Sequence, residues 1–135
     1  LELKDYRGAI LDFNEIIKND PKNAVAYANR ANAKQKFVEN SDLKDTDRIR
    51  GLKSALMDYD KAIELGKGNV MTYFNRGFIK SELGDFKGAE ADFSKVIELD
   101  PKDKDAYNAR ALVRRELGDK VGVTKDLEEA LKLTK

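Results

Sequence analysis

The sequence contains neither cysteine nor histidine. Without cysteine it can form no disulfide and no thiolate zinc site, and without histidine it lacks the commonest metal ligand and the usual general base of enzymes. No apolar run approaches the ~20 residues of a membrane-spanning helix, and no basic-then-apolar leader opens the chain. We therefore expect no metal centre and no membrane insertion, and the sequence indicates no particular compartment.

A net charge of one sign is also missing. Lys plus Arg number 26 and Asp plus Glu number 25, which leaves a formal charge of +1. Such a chain has no strong positive field to attract DNA, RNA or an anionic membrane. Nucleic acid is therefore not an expected partner.

The sequence patterns of an enzyme are absent as well. Gly66-Lys67-Gly68 lacks the spacing and the preceding strand of a phosphate-binding loop. Asp42, Asp45 and Asp47 lack the central Gly and the terminal Glu of a calcium loop. The other candidate acids, bases and nucleophiles are scattered over amphipathic segments rather than grouped. We predict a non-catalytic protein that uses no cofactor and no metal.

An internal repeat is the strongest feature that the sequence does contain. Residues recur at a spacing of 34, as Tyr73 and Tyr107, Arg76 and Arg110, Leu83 and Leu117, and Gly84 and Gly118. One long period that dominates a short chain is typical of a stacked array of repeats rather than of a globule around one centre. Function is therefore expected on a surface.

Each repeat contains two amphipathic helices. A stripe of apolar residues at helical spacing marks the second helix, for example Phe86, Ala89, Phe93, Val96 and Ile97. The first helix is predicted to end at Gly84, because a glycine can adopt the left-handed conformation of a helix cap. Asp-Pro at 20–21 and 100–101 separates successive units, since proline disfavours helix at the residue before it.

The repeat resembles the tetratricopeptide repeat (TPR), whose signature has the same period. Tyr73, Gly77, Ala89, Phe93 and Pro101 match that signature in order, and the resemblance covers essentially the whole chain. It implies an all-α fold, a right-handed superhelical solenoid of antiparallel helix hairpins. Family members are protein-interaction modules, so the resemblance also implies a protein or peptide partner.

The alignment divides a single domain, 1–135, into four parts. Residues 1–22 correspond to the second helix of a truncated repeat, which indicates a fragment of a longer protein. Complete repeats follow at 23–68, 69–102 and 103–135. Tyr6, Ile10 and Phe13 would then lose part of their cover, and we expect a partly exposed apolar patch or a contact with another molecule there.

The repeat 23–68 carries a 12-residue insertion near 39–50, since Tyr27 to Tyr73 spans 46 residues instead of 34. Apolar residues continue the second helix backwards through the insertion. That helix is therefore expected to start near Asp45, with Asp45 or Thr46 as its cap. The rest of the insertion is interpreted as a solvated loop or as an accessory contact site.

Arginine stands where the family has a core-facing leucine, and a buried guanidinium needs a partner. Each arginine follows an aspartate by 18 residues and also precedes one, by 28, 16 and 16 residues. We predict a structural ion-pair ladder, the alternative being that the arginines extend to solvent with only their stems buried. Its members are Asp12, Arg30, Asp58, Arg76, Asp92, Arg110 and Asp126.

In this family the first helices of successive repeats line a concave groove, which implies a partner-binding face here. Its predicted residues are Asn29, Asn32, Lys36, Met71, Phe74, Asn75, Phe78, Asn108, Leu112 and Arg115. Gln35 belongs to the same predicted face. Met71, Phe74 and Phe78 form an apolar stripe that suits an apolar anchor of a ligand. The alternative is that Phe74 and Phe78 pack against neighbouring first helices.

Asn29 and Asn75 match the asparagine that many family members use to hold a peptide backbone. A related subfamily clamps C-terminal carboxylates with Lys and Arg beside such asparagines. The corresponding positions here carry Val25, Met71, Asp105 and Ala109, so the basic half of that clamp is missing.

We therefore predict a non-catalytic module that binds a peptide or helix of a partner protein in the groove. The alternative is an assembly element that self-associates through the truncated N-terminal repeat or packs against the rest of its parent chain.

Overall fold

A computed structural model describes the backbone of residues 3–135 and the side chains of residues 5–135. Within this range the chain forms helices and no strand, so the predicted all-α fold is confirmed. The helices are α1 (Leu3–Asn19), α2 (Ala24–Glu39), α3 (Asp45–Glu64), α4 (Val70–Glu82), α5 (Phe86–Leu99), α6 (Lys104–Glu116) and α7 (Lys120–Thr134). None of them is long and apolar enough to cross a membrane.

Most of the helices start at a side-chain cap. The side-chain oxygen of an Asn or Asp accepts a hydrogen bond from the backbone N–H of the residue three positions later. This bond satisfies one of the backbone N–H groups of the first turn that have no partner within the helix. These caps are Asn23, Asn69, Asp85, Asp103 and Asp119. At Asn69 the side chain of Thr72 also accepts the N–H of the cap residue, which completes a capping box.

Among the helices whose N-cap is described, α3 is the exception. It begins at Asp45, where the apolar stripe predicts it, but its N-cap is Lys44, which makes no side-chain cap hydrogen bond. The prediction of Asp45 or Thr46 as the cap is therefore wrong. Asp45 lies inside the first turn, where its negative charge interacts favourably with the positive end of the helix dipole.

A left-handed glycine follows each of α3, α4 and α6, at Gly66, Gly84 and Gly118. Gly84 has φ of 86° and Gly118 has φ of 78°, both in the left-handed region that glycine enters without a steric penalty. After Gly84, the N–H of Asp85 donates to the carbonyl oxygen of Lys80 at 2.8 Å. The predicted left-handed cap at Gly84 is confirmed.

The chain divides into two compact units, Leu1–Gly68 and Asn69–Lys135. In the first unit, α2 packs against both α1 and α3. Ala55, Tyr59 and Ala62 of α3 are at most 1% exposed in its core. The insertion lengthens the second helix of its repeat more than the connecting loop. Helix α3 has 20 residues, whereas its counterpart α5 has 14. The loop that joins α2 to α3 is residues 40–44.

Helix α1 is covered less completely than α3. Tyr6, Ile10 and Phe13 are half-buried, as expected for a partly covered face, while Leu11 and Ile16 are 65% and 41% exposed. Tyr59, which holds the position of Phe13 in the next second helix, is 1% exposed.

The second unit contains two hairpins, α4–α5 and α6–α7, and α5 also packs against α6. Short connections between contacting helices make each hairpin antiparallel. Ala89, Phe93 and Val113 form its buried core, with Phe74 and Ala109 packed against them. Phe93 and Val113 of this core also form the base of the candidate site described below.

Candidate functional site

The second unit has an apolar hollow between α4 and α6, with a volume of about 360 Å³. We call it the α4–α6 hollow. Its walls are Phe74, Phe78 and Ser81 of α4, and Asp105, Asn108, Ala109 and Leu112 of α6. Phe93 and Val113, which are 1% and 2% exposed, lie at its base.

The walls follow from helical periodicity. Phe74 and Phe78 are four residues apart, and Asp105, Asn108 and Leu112 follow at i, i+3 and i+7, so each set shares one face of its helix. The rings of Phe74 and Phe93 meet edge to face with centroids 5.4 Å apart. Phe74 is therefore partly a core residue through its contact with α5, a second helix, whereas Phe78 is 41% exposed and Leu112 is 57% exposed.

A second, smaller hollow of about 230 Å³ lies between α6 and α7. We call it the α6–α7 hollow. It shares Asn108 and Leu112 with the first hollow and adds Ala111, Arg115, Val123 and Leu127. The ridge formed by Asn108 and Leu112 thus separates two adjoining apolar depressions of one unit.

Other predicted groove residues lie outside these linings. Met71, 56% exposed, and half-buried Asn75 are on α4. In the first unit, Asn29 and Lys36 are exposed on α2 and Asn32 is half-buried. Gln35 is 4% exposed and its Oε1 accepts a hydrogen bond from the Tyr59 hydroxyl at 2.9 Å. Its placement on the binding face was wrong, because this hydrogen bond holds the amide in the core.

Each complete hairpin contains a two-point ion pair. The arginine Nε and Nη2 atoms of its first helix donate to the two carboxylate oxygens of an aspartate on its second helix, at 2.6 to 3.0 Å. The pairs are Arg30–Asp58, Arg76–Asp92 and Arg110–Asp126. The aspartates are 1% to 4% exposed, and the arginine side chains are 16% to 18% exposed. The guanidinium groups therefore do not extend freely into solvent.

A second cation binds each aspartate, and the sequence interpretation missed it. This cation lies four residues after the arginine, one helical turn along the same face. The contacts are Lys34–Asp58 at 2.8 Å, Lys80–Asp92 at 3.4 Å and Arg114–Asp126 at 3.0 Å. The signal was present in the sequence, because a basic residue follows every ladder arginine at i+4. Each aspartate thus carries one negative charge between two positive ones.

A tyrosine three residues earlier in the helix covers each ladder arginine. The guanidinium carbon lies 5.5 to 5.8 Å from the ring centroid of Tyr27, Tyr73 or Tyr107. This distance permits a cation–π attraction. The hydrogen bond to Asp58 raises the pKa of the Arg30 guanidinium above its ordinary value, although burial opposes the shift. The contacts of Arg30 with Asp58 and Tyr27 thus favour its charged form.

The ladder prediction was wrong for Asp12. This residue is exposed, and among the contacts of residues 5–135 none joins it to Arg30. The Nη1 atom of Arg30 donates instead to Asn14 Oδ1 at 2.9 Å. Residues two apart lie about 200° apart around a helix axis, so a helix that presents Asn14 to Arg30 turns Asp12 away.

The third hairpin follows the same rule. Arg110 Nη1 donates to Ser94 Oγ on α5 at 3.1 Å. Ser94 stands 16 residues before its arginine, as Asn14 does before Arg30. Arg30 and Arg110 therefore bond forward within their own hairpin and backward to a neutral side chain.

Known proteins resemble the chain in sequence and in structure. The family model of the tetratricopeptide repeat matches residues 70–103. The Arabidopsis OM64 TPR domain is 31% identical, with a TM-score of 0.68 and 83% of each chain covered. The first TPR of Spaghetti (RPAP3), bound to the HSP90 peptide SRMEEVD, is 25% identical, with a TM-score of 0.69 over 85% of this chain and 82% of that chain.

A more distant likeness concerns the fold alone. MamA from Desulfovibrio magneticus RS-1 is 15% identical and has a TM-score of 0.80, over 98% of this chain and 68% of that chain. No curated protein matches the sequence significantly.

Proposed function

Because this chain belongs to the tetratricopeptide repeat family, we propose that it is a non-catalytic interaction module that binds a peptide or helix of a partner protein. The observation that carries the proposal is the α4–α6 hollow. Phe78 and Leu112 stand exposed there above a floor of buried Phe93 and Val113.

The chemistry of the hollow suits an apolar anchor. Its volume of about 360 Å³ lies at the lower end of the range of ligand pockets. Burying a leucine or phenylalanine side chain stabilises a complex by about 1.5–3 kcal/mol. The amide of Asn108 at the rim can both donate to and accept from a peptide backbone. Shape and polar rim together favour a protein segment with one bulky apolar side chain.

The remaining predicted residues extend this proposal. Met71, Asn75 and Arg115 lie on the same two helices as the hollows. Asn29, Asn32 and Lys36 offer amide and ammonium donors on α2 of the other unit. The ladder arginines and the aspartates that they bind are assigned a structural role, because their charged groups already satisfy one another.

One class of peptide is not the expected occupant. The TPR of Spaghetti (RPAP3) was solved with an acidic peptide that ends in aspartate. In this chain the positions corresponding to a basic carboxylate clamp carry Val25, Met71, Asp105 and Ala109. An acidic tail would meet an aspartate there instead of a cation.

A displayed library of random peptides tests the proposal. The wild-type protein should retain a set of peptides that a Phe78→Ser, Leu112→Ser variant loses. A matched control changes two other exposed apolar residues, Val121→Ser and Leu131→Ser of α7, which lie outside both hollows. This control should retain the same peptides. Equal retention by all three proteins would show that the hollow is not the binding site.

A second candidate function is assembly through α1. Leu11 and Ile16 are 65% and 41% exposed on this helix, beside the half-buried Tyr6, Ile10 and Phe13. Another copy of the chain could cover this face. Light scattering across a concentration series would then show a dimer that dissociates in a Leu11→Ser, Ile16→Ser variant. A monomer at every concentration would rule out self-association.

A further inference from the structure

The two hollows of the second unit are bordered by single charges of opposite sign. Asp105 is the one charged residue that lines the α4–α6 hollow, and Arg115 is the one that lines the α6–α7 hollow. Between them stands the shared ridge of Asn108 and Leu112. A segment lying across both hollows would therefore meet a negative charge, an apolar ridge and a positive charge in that order.

These residues lie on one face of α6. Asp105, Asn108, Leu112 and Arg115 are spaced i, i+3, i+7 and i+10, which keeps them within one stripe of the helix surface. The two charged residues are ten positions apart, or about 15 Å along the axis at 1.5 Å per residue. An extended chain covers that distance with about five residues.

The two charges are not engaged elsewhere in the described part of the chain. The neighbouring Arg110 and Arg114 bind Asp126, and Arg114 also binds Glu90. Arg115 and Asp105 take part in none of the side-chain hydrogen bonds or ion pairs among residues 5–135. Capping does not require Asp105, because Asp103 is the N-cap of α6.

The helix dipole offers a simpler explanation for both charges. An acidic residue in the first turn and a basic residue in the last turn each complement it. The dipole does not explain why Leu112, which lies between these two charges on the same stripe, is an exposed apolar residue. A stripe that is charged at both ends and apolar in the middle fits the surface of a binding site.

We propose that the partner segment is extended and carries a charge order complementary to α6. A lysine or arginine would face Asp105, an apolar side chain would pack against Leu112 and Phe78, and an aspartate or glutamate would face Arg115. This inference rests on the proposed function, since it specifies the peptide that the hollows bind. Pairing opposite charges across an interface sets the orientation of the bound segment.

Selection from a displayed library of random dodecapeptides tests this charge order. The wild-type protein should select peptides with a basic residue, an apolar residue and an acidic residue spread over about five positions. A charge-swapped Asp105→Lys, Arg115→Glu variant should select the reverse order. It should also bind the wild-type peptides roughly tenfold more weakly, because two rim attractions become repulsions.

A matched control keeps the net charge and swaps two exposed residues of α7, as Lys125→Glu with Glu128→Lys. These residues lie outside both hollows, so this variant should select the wild-type charge order. A neutral Asp105→Asn, Arg115→Gln variant provides a milder change if the swapped variant does not fold. It should select apolar peptides without a preferred charge order.

The outcomes separate this inference from the proposed function. Peptides that require Phe78 and Leu112 but show the same charge order with the wild-type and swapped proteins would overturn the inference alone. A protein that retains no peptide through Phe78 and Leu112 would overturn both.

Discussion

The guanidinium of Arg110 and the carboxylate of Asp126 form a two-point hydrogen-bonded ion pair, with Nε–Oδ2 at 3.0 Å and Nη2–Oδ1 at 2.6 Å. Because the two residues lie on α6 and α7, the pair fastens the helices of one hairpin. Equivalent pairs fasten α2 to α3 and α4 to α5. A charge this far from water is tolerated only while its partner is present, so each hairpin depends on both members.

Asp126→Asn should therefore destabilise the protein strongly. The substitution keeps the shape of the side chain, but it leaves Arg110 and Arg114 beside a neutral amide. We expect the free energy of unfolding to fall by about 2–4 kcal/mol, somewhat less than the roughly 3–5 kcal/mol of a fully buried broken pair. The loss is smaller because the arginines retain some solvent contact. Urea denaturation followed by circular dichroism measures the change.

Glu128→Gln is the matched control, since it removes an exposed carboxylate of the same helix. It should change the free energy of unfolding by less than about 0.5 kcal/mol. Similar stabilities for the two variants would show that the charge of Asp126 contributes little.

Each buried aspartate binds two cations, the ladder arginine and the basic residue four positions after it. Exchanging lysine and arginine should have different effects at these two positions. Arg110→Lys replaces three directed donors, which reach both oxygens of Asp126 and the hydroxyl of Ser94, with one compact ammonium. We expect a loss of about 1–2 kcal/mol. Lys80→Arg should change stability by less than about 0.5 kcal/mol, because the equivalent position in the last hairpin is already Arg114.

Thermal unfolding of the two single variants measures this difference. A melting temperature lowered as much by Lys80→Arg as by Arg110→Lys would mean that charge alone, and not the two-point geometry, holds the aspartate.

The sequence predicted the helices well because their signals are local. Caps and apolar stripes act over one or two turns, so the start of α3 at Asp45 and the left-handed Gly84 could be read from spacing. The cap of α3 could not, because Asp45 is itself the first helical residue, which leaves Lys44, whose side chain has no acceptor, at the cap position.

The ion-pair ladder and the α4–α6 hollow depend on how the helices pack against one another. The spacing of residues in the sequence determines this packing only in part. An aspartate 18 residues before an arginine and one 16 residues after it are equally regular in sequence. Only the rotation of α1, which presents Asn14 to Arg30, excludes Asp12 from the ladder. Likewise, the repeat alignment placed Phe74 and Phe78 on one face, but the contact with Phe93 makes the first partly a core residue.

Two glycine-to-alanine changes should have opposite effects. A Cβ atom at Gly77 would lie 3.0 Å from Phe93 Cε1 and 3.1 Å from Asp92 Cβ, where α4 and α5 approach closely. Gly77→Ala should therefore lower the free energy of unfolding by about 1–3 kcal/mol, because the two helices must move apart.

Gly8→Ala is the counterpart in α1. Among the described residues, a Cβ atom there would meet nothing within 4 Å. Alanine loses less backbone entropy than glycine in a helix, so we expect a stabilisation of about 0.5–1 kcal/mol. Chemical denaturation of both variants measures the sign, and a destabilised Gly8→Ala or a neutral Gly77→Ala would contradict this account of the helix contacts.

The hydrogen bond between Tyr59 and Gln35 should stabilise the first unit. The two residues are 1% and 4% exposed, and the hydroxyl donates to Oε1 at 2.9 Å. Tyr59→Phe removes the donor and leaves a buried amide oxygen without that bond, at a cost of about 1–2 kcal/mol. Tyr107→Phe is a milder control, since its hydroxyl donates to the carbonyl of the exposed Pro101, which water can reach.

A second substitution distinguishes the lost hydrogen bond from lost packing. If the unpaired amide causes the loss, Gln35→Met should restore part of the stability in the Tyr59→Phe background, because it removes the polar group that Phe cannot satisfy. If Tyr59 acts through packing alone, Phe fills the same site and the single variant should be as stable as the wild type. A double variant less stable than Tyr59→Phe would show that Gln35 holds α2 through other contacts of its amide.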